Sequence, residues 1–322
     1  MDWDMKNELQ KWQEQVLYLT RFKNNKITKD MKTVNNVSGG RTSAYLAAHY
    51  PADFNLFALV RTNDKDCMYP DAKLRQIVSD KIGVEFIGTL EDDKIIHTIL
   101  DLEQYLGQEI EWITSEYAFE DIIVKKKAVP NVSQRFCTSM LKIVPMQQWW
   151  YKNFDEPIEV RLGFRANEQG RKKNTLASLN ERGFVPAKVV VGKHENGNNK
   201  WKEFDWQKPA FPLIDNGIFK DDVENYWKDK PVRFAPINNC VGCFHQEPIL
   251  LRKRFDWHPN KMEWFIKQEQ AAENLVKKIN GQRSQYTKWK SQFLYEQIKN
   301  HNLQLDIFES DFNECDSGYC GL

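Results

Sequence analysis

One stretch, residues 34–48, constrains the fold more than any other: Val-Asn-Asn-Val-Ser-Gly-Gly-Arg-Thr-Ser-Ala-Tyr-Leu-Ala-Ala. Val34 and Val37 give it the apolar start of a strand, and helix formers follow Ser43. Between them Gly39 and Gly40 can take backbone angles closed to other residues and can admit a ligand to the main chain. Ser38, Thr42 and Ser43 place hydroxyls where the helix begins, and the unpaired N–H groups of a first helical turn attract an anion. The stretch reads as a phosphate cradle at a strand-to-helix junction. It lacks the Gly-Lys-Ser/Thr ending of a Walker A loop.

A chain of 322 residues with 41% apolar content can bury one large α/β domain and a smaller partner. The 46 basic and 45 acidic residues nearly cancel, so charge gives no argument for a nucleic-acid or membrane partner. No apolar run approaches the roughly 18 residues that span a bilayer. The first residues, MDWDMKNELQKW, carry acids and no apolar core of a secretory signal, so a cytoplasmic location is expected.

Periodicity supplies the rest of the outline. Leu9, Trp12, Val16, Leu17 and Leu19 predict an amphipathic helix within residues 5–20. Pro51 is expected to stop the helix after the cradle, and the apolar run 54–62 reads as a parallel strand covered on both faces. A helix opening at Asp71, a strand over 84–88 and mostly helical text over 92–127 follow, with Ile95, Ile96, Ile99 and Leu102 on one face. Residues 158–164 read as a further strand and 192–208 as an exposed hairpin or loop. Pro231 and Pro236 mark a boundary, beyond which Met262, Phe265 and Ile266 share one helical face and Trp289, Phe293 and Ile298 another.

The hexad SGGRTS resembles the SGGKDS loop of the PP-loop family, the adenine-nucleotide alpha-hydrolases that include ATP pyrophosphatases and phosphoadenosine phosphosulfate (PAPS) reductases. Further resemblances follow in the family's order. They are the strand end at Asp64, the segment from Arg135 through Cys137 and Lys142 to Pro145 and Met146, the strand leading to Arg165 and Glu168, and the Pro-Leu element from Phe211 to Trp227. The resemblance covers about residues 34–245. It implies a Rossmann-like (HUP-type) parallel sheet flanked by helices, followed by a helical region carrying a cysteine cluster. The expected division is an N-terminal helix over 1–30, a nucleotide-binding domain over 31–235 and a Cys-containing helical region over 236–322. Ser38, Gly39, Gly40, Arg41, Thr42 and Ser43 would hold phosphates, Asp64 a ribose or metal, and Arg135, Lys142 and Arg165 phosphate or sulfate oxygens. Arg41 and Thr42 stand where the family has Lys and Asp.

Six cysteines, at 67, 137, 240, 243, 315 and 320, are not expected to form a disulfide framework in a chain without a secretion signal. Cys240 and Cys243 have the spacing that lets both thiolates of a tight turn reach one metal, and Cys315 and Cys320 add two more. Four thiolates suit zinc or an iron–sulfur cluster. Under the resemblance a rival assignment is open: Cys137, Cys240 and Cys243 belong to a four-iron four-sulfur site, and Cys320 is the nucleophile that attacks the sulfur of PAPS. Thr138 replaces the second of the family's paired cysteines, which excludes a complete copy of that site.

The function implied is that of a PAPS-reductase-like enzyme acting on an adenine nucleotide. Either ATP is cleaved at its α-phosphate, with magnesium, in an adenylation coupled to sulfur transfer, or PAPS is reduced with the help of a thiol or reductase partner. Two alternatives stand beside it: a nucleotide-sensing or partner-binding module without turnover, and a nucleic-acid thiolation enzyme.

Overall fold

The computed structural model describes residues 31–236, 238–280 and 287–301; the helix expected within 5–20 lies outside them, as do Cys315 and Cys320. Strand β1 (Thr33–Asn36) occupies the middle of the main sheet, paired in parallel with β2 (Phe54–Leu59). A short pair, β3 (Arg61–Thr62) and β4 (Gly88–Thr89), stands apart as a two-stranded antiparallel sheet. The main sheet is completed by β5 (Ile110–Thr114), β6 (Ile158–Arg161), β7 (Val185–Lys193) and β8 (Asn199–Ala210), in the order β5-β2-β1-β6-β8-β7. Within this main sheet every pairing is parallel except that of β7 with β8. The result is a mixed, mostly parallel sheet flanked by helices, a Rossmann-like α/β arrangement.

Four local expectations change, one of them near the end of the described chain: Trp289 and Phe293 do not share a helical face with Ile298, because only Tyr295–Lys299 is helical there and Phe293 is exposed. The sheet is not wholly parallel, because the hairpin expected over 192–208 is the outer part of the long β7–β8 ribbon, in which Val190 faces Trp201. Residues 84–88 do not form a sheet strand. Only Gly88 and Thr89 pair, and a Cβ at Gly88 would meet the Cys67 carbonyl oxygen at 2.1 Å, so the chain passes too closely for any side chain there. The text over 92–127 is interrupted by β5, entered after Gly107 ends the preceding helix at φ +59° and marked by the inward alternation of Ile110 and Trp112.

Helix α1 (Arg41–His49) stops before Pro51. Helix α2 (Ala72–Ile82) is capped by Asp71, whose carboxylate accepts from the N–H groups of Lys73 and Leu74. In α3 (Lys94–Leu106) the expected face of Ile95, Ile96, Ile99 and Leu102 is wholly buried. Helix α4 (Phe119–Lys126) follows β5. Next, residues Phe136–Thr138 run through a wider π-helical turn, Ser139–Ile143, into α5 (Val144–Asn153). Helices α6 (Gln169–Ala177) and α7 (Lys220–Trp227) flank the β7–β8 ribbon in sequence.

Alternation along β2 sends Phe57 and Leu59 to a core with α1, α3 and α7, and Leu56 to a second core with Val160, Trp150 and Trp206. Asn35 and Asn55 form a buried amide pair across β1 and β2 at 3.1 Å, extended by Gln108 at 2.8 Å, so a slip of register would leave amides unsatisfied. A third core joins Val60, Leu90 and Phe119 to α8 (Pro248–Trp257), α9 (Pro259–Asn280) and α10 (Tyr295–Lys299). Met262, Phe265 and Ile266 are buried there as their spacing predicts. Among the described residues no helix is long and apolar enough to cross a membrane.

Inside this third core Glu269 accepts hydrogen bonds from the backbone N–H groups of Trp289 and Tyr295, at 3.1 and 2.8 Å. Burial pushes its carboxyl up to about 7. Folding therefore takes up a proton at Glu269: the contribution to stability is full below the ordinary value of 4.5 and is lost as pH rises through about 7. The melting temperature should fall over that interval, and Glu269→Gln should flatten the fall, as thermal denaturation at a series of pH values will show.

Candidate functional site

The chain runs from β1 to β2 on one side and later returns to β6 on the other side of β1. The carboxyl ends of β1 and β6 therefore border a topological switch point, where open α/β sheets have room for a ligand. A cleft lies there, bounded by residues 36–43 after β1, by residues 161–165 at the end of β6, and by Lys142, Ile143 and Met146 from the π turn and α5.

Gly39 turns the chain at φ +78°, and a Cβ on it would meet Ile95 Cγ2 at 2.9 Å. The loop is braced from within: Ser43 Oγ accepts from the Ser38 N–H at 3.1 Å and donates to the Gly40 carbonyl at 3.0 Å. Gly40, the residue before α1, offers no side-chain cap, and no acidic residue lies in the first turn. The first N–H groups of this nine-residue helix thus reach the cleft without a capping oxygen, at the positive end of the helix dipole. Gly163 packs against this junction, with its Cβ position 3.6 Å from Ser43 Cα.

Cationic side chains complete the cleft, each already engaged. Lys142 donates to Glu91 at 2.9 Å; the Glu91 side chain is 2% exposed. Lys142 owes its place to the π turn, closed by Val144 N–H donating to the Ser139 carbonyl; Pro145 lacks the N–H to continue a regular helix at that point. Arg165 and Arg171 both pair with Glu168, at 3.3 and 2.8 Å, and Arg171 lies over the Phe164 ring at 3.9 Å. Arg41 turns its guanidinium over Phe234, 5.3 Å from the ring centre, while its carbonyl accepts from Trp227 Nε1 at 3.0 Å. The arrangement combines a backbone anion cradle, preorganised cations and an apolar wall of Ile143, Met146 and Leu162.

Of the residues expected from sequence, the structure gathers Ser38, Gly40, Arg41, Thr42, Ser43, Lys142 and Arg165 in the cleft, while Gly39 turns the chain against Ile95. Asp64 and Arg135 lie outside it. The Asp64 carboxylate accepts from Asp66 N–H at 2.9 Å and caps a short 3-10 turn, Lys65–Cys67. Arg135 precedes Phe136 and Cys137, which pack against the third core. Sequence reasoning missed Glu91, whose acid-rich neighbourhood looks like any solvated turn, and Asn238, which lines the cleft from far along the chain.

The expected metal centre is corrected. Among the described residues no group of three or more His, Cys, Asp or Glu side chains could hold a metal ion, which argues against the iron–sulfur cluster and the zinc site; Cys315 and Cys320 of the expected set lie outside the described residues. Cys240 and Cys243 form a tight turn, with Cys243 N–H donating to the Cys240 carbonyl at 3.0 Å, and the backbone of that turn is held from several sides. Tyr295 donates to the Gly242 carbonyl at 3.0 Å, and the buried Gln246 amide binds the carbonyls of Cys240 and Val241. A Cβ on Gly242 would meet the Phe265 ring at 2.5 Å. Burial pushes the Cys137 thiol up. Cys320, the nucleophile of the rival assignment, lies outside the described residues.

Comparison of the chain with known protein families, with curated proteins and with solved structures finds no match.

Removing Lys142 leaves the Glu91 carboxylate buried without that ammonium. Lys142→Met should therefore cost about 3 kcal/mol of stability, read from the shift of the urea unfolding midpoint.

Proposed function

We propose that the cleft binds an adenine nucleotide through its phosphates, and that the protein acts as a PP-loop enzyme of the PAPS-reductase-like kind. The observation that carries this reading is the uncapped first turn of α1, opening after Gly39 and Gly40 into a cleft that also holds Lys142, Arg165 and Arg171. Backbone N–H groups and fixed cations stabilise charge that develops on a departing phosphate or sulfate. The aliphatic wall of Ile143, Met146 and Leu162 suits the flat face of a base. In the adenylating reaction a substrate oxygen attacks the α-phosphate and pyrophosphate leaves into the Ser38–Ser43 turn; in the reducing one, a thiolate attacks the sulfur of PAPS, the sulfur–oxygen bond to the phosphate breaks, adenosine 3',5'-bisphosphate leaves with the electron pair, and a thiol of the partner then displaces sulfite from the resulting S-sulfonate as a disulfide forms.

One observation favours a second reading, a nucleotide-binding module without turnover: Lys142, Arg165 and Arg171 are each held by an internal carboxylate. Calorimetric titration with ATP and with PAPS, followed by assay of pyrophosphate and sulfite, separates the possibilities. Binding of one nucleotide with product release is expected, and Arg165→Ala should weaken that binding by about 10-fold. Binding without either product would select the module, and failure of both nucleotides to bind would overturn the proposal.

A further inference from the structure

The chain linking α7 to the helical region, described over residues 231–236 and 238–240, runs beside the phosphate turn as a strap, with Phe234 against Arg41 and Asn238 against Gly40. Both of its ends are stitched to the sheet domain. At one end Arg233 forms a two-pronged pair with Asp101, at 2.7 Å from both Nε and Nη2, and its carbonyl accepts from Thr98 Oγ1 at 2.5 Å. At the other, Cys240 forms an antiparallel β-bridge with Glu91, and Val241 N–H donates to the Leu90 carbonyl at 2.9 Å. Phe234, between the two, lies beneath the Arg41 guanidinium.

Asn238 sits two residues before the second stitch and lines the cleft. Its side chain lies directly against the phosphate turn: a Cβ built on Gly40 would stand 2.6 Å from Asn238 Nδ2 and 3.4 Å from its Cγ. The missing side chain at Gly40 is what gives the carboxamide its place. A carboxamide carries two N–H donors on nitrogen, and here that nitrogen borders the N–H groups at the start of α1.

We propose that Asn238 is a specificity-determining residue of the cleft, donating from Nδ2 to the same phosphate oxygens that the Ser38–Ser43 turn holds. This inference rests on the phosphate-binding reading of the cleft. The strap makes the donor preorganised, since both its anchors are formed without ligand. It also gives the Cys240–Cys243 turn a purpose other than metal binding: its first residue pins the strap to Glu91, the residue that holds Lys142. One acidic residue thereby positions two donors of the cleft, the Lys142 ammonium through its carboxylate and Asn238 through its backbone.

The test is calorimetric titration of the full-length protein with inorganic pyrophosphate and with adenosine. Asn238→Ala should weaken pyrophosphate binding by about 10-fold, the loss of one hydrogen bond to a charged group, while leaving adenosine binding and the melting temperature unchanged. Asn238→Asp should weaken it by about 100-fold or more, since the donor becomes a negative charge facing the ligand. Gly40→Ala should weaken pyrophosphate binding in the parent protein by displacing the carboxamide, and should have much less effect in the Asn238→Ala background, a non-additivity that a merely structural role would not produce. Pyrophosphate affinity unaltered in Asn238→Ala and Asn238→Asp, with the parent protein binding normally, would overturn the role of Asn238 and leave the phosphate reading standing. A parent protein that binds no pyrophosphate would overturn both.

Discussion

The buried carboxylate of Glu91 ties the parts of the described chain together. A charge with a side chain only 2% exposed must be paired, and Lys142 supplies the partner from the π turn. The same residue gives its carbonyl to Lys261 Nζ of α9 at 2.7 Å and its backbone to the bridge with Cys240. Its neighbours repeat the pattern, with Asp93 pairing with Lys261 at 2.6 Å and Asp92 facing His258 Nε2 at 3.5 Å. The helical region is therefore joined to the frame that positions Lys142 at the cleft.

Three of the cleft's cations, Lys142, Arg165 and Arg171, are paired with internal carboxylates, while Arg41 lies over the Phe234 ring. Glu168 holds Arg165 and Arg171 in a fixed geometry, which lowers the reorganisation an incoming phosphate would demand and sets the charge it must match. The positive end of α1 is different in kind: it is made of backbone, has no internal counter-ion in its first turn, and cannot be turned away by a change of rotamer.

The strand, glycine turn and helix at residues 33–49 were legible because each signal is local: apolar residues, two glycines, then helix formers. The buried face of α3 was legible for the same reason. Strand β5 was not, since Ile110 and Trp112 alternate for too few residues to stand out beside the strongly periodic helix before them. Nor was the pairing of 84–88, where contact with the Cys67 carbonyl decides the path. Glu91 and Asn238 carry no local signal at all, because their partners lie far away in sequence. The spacing of Cys240 and Cys243 was read correctly as a tight turn, but spacing alone does not reveal that Tyr295, Gln246 and Phe265 already occupy its surroundings.

The π turn at Ser139–Ile143 has a mechanical outcome. A widened turn takes up about one residue more than a regular turn over the same full rotation, so α5 beyond it keeps its phase. Deleting one residue there and closing the turn would leave Trp150 in its core, while the side chains of the turn itself, Lys142 among them, would be re-aimed. The extra residue thus acts on the direction of one ammonium and leaves the tryptophan's packing untouched.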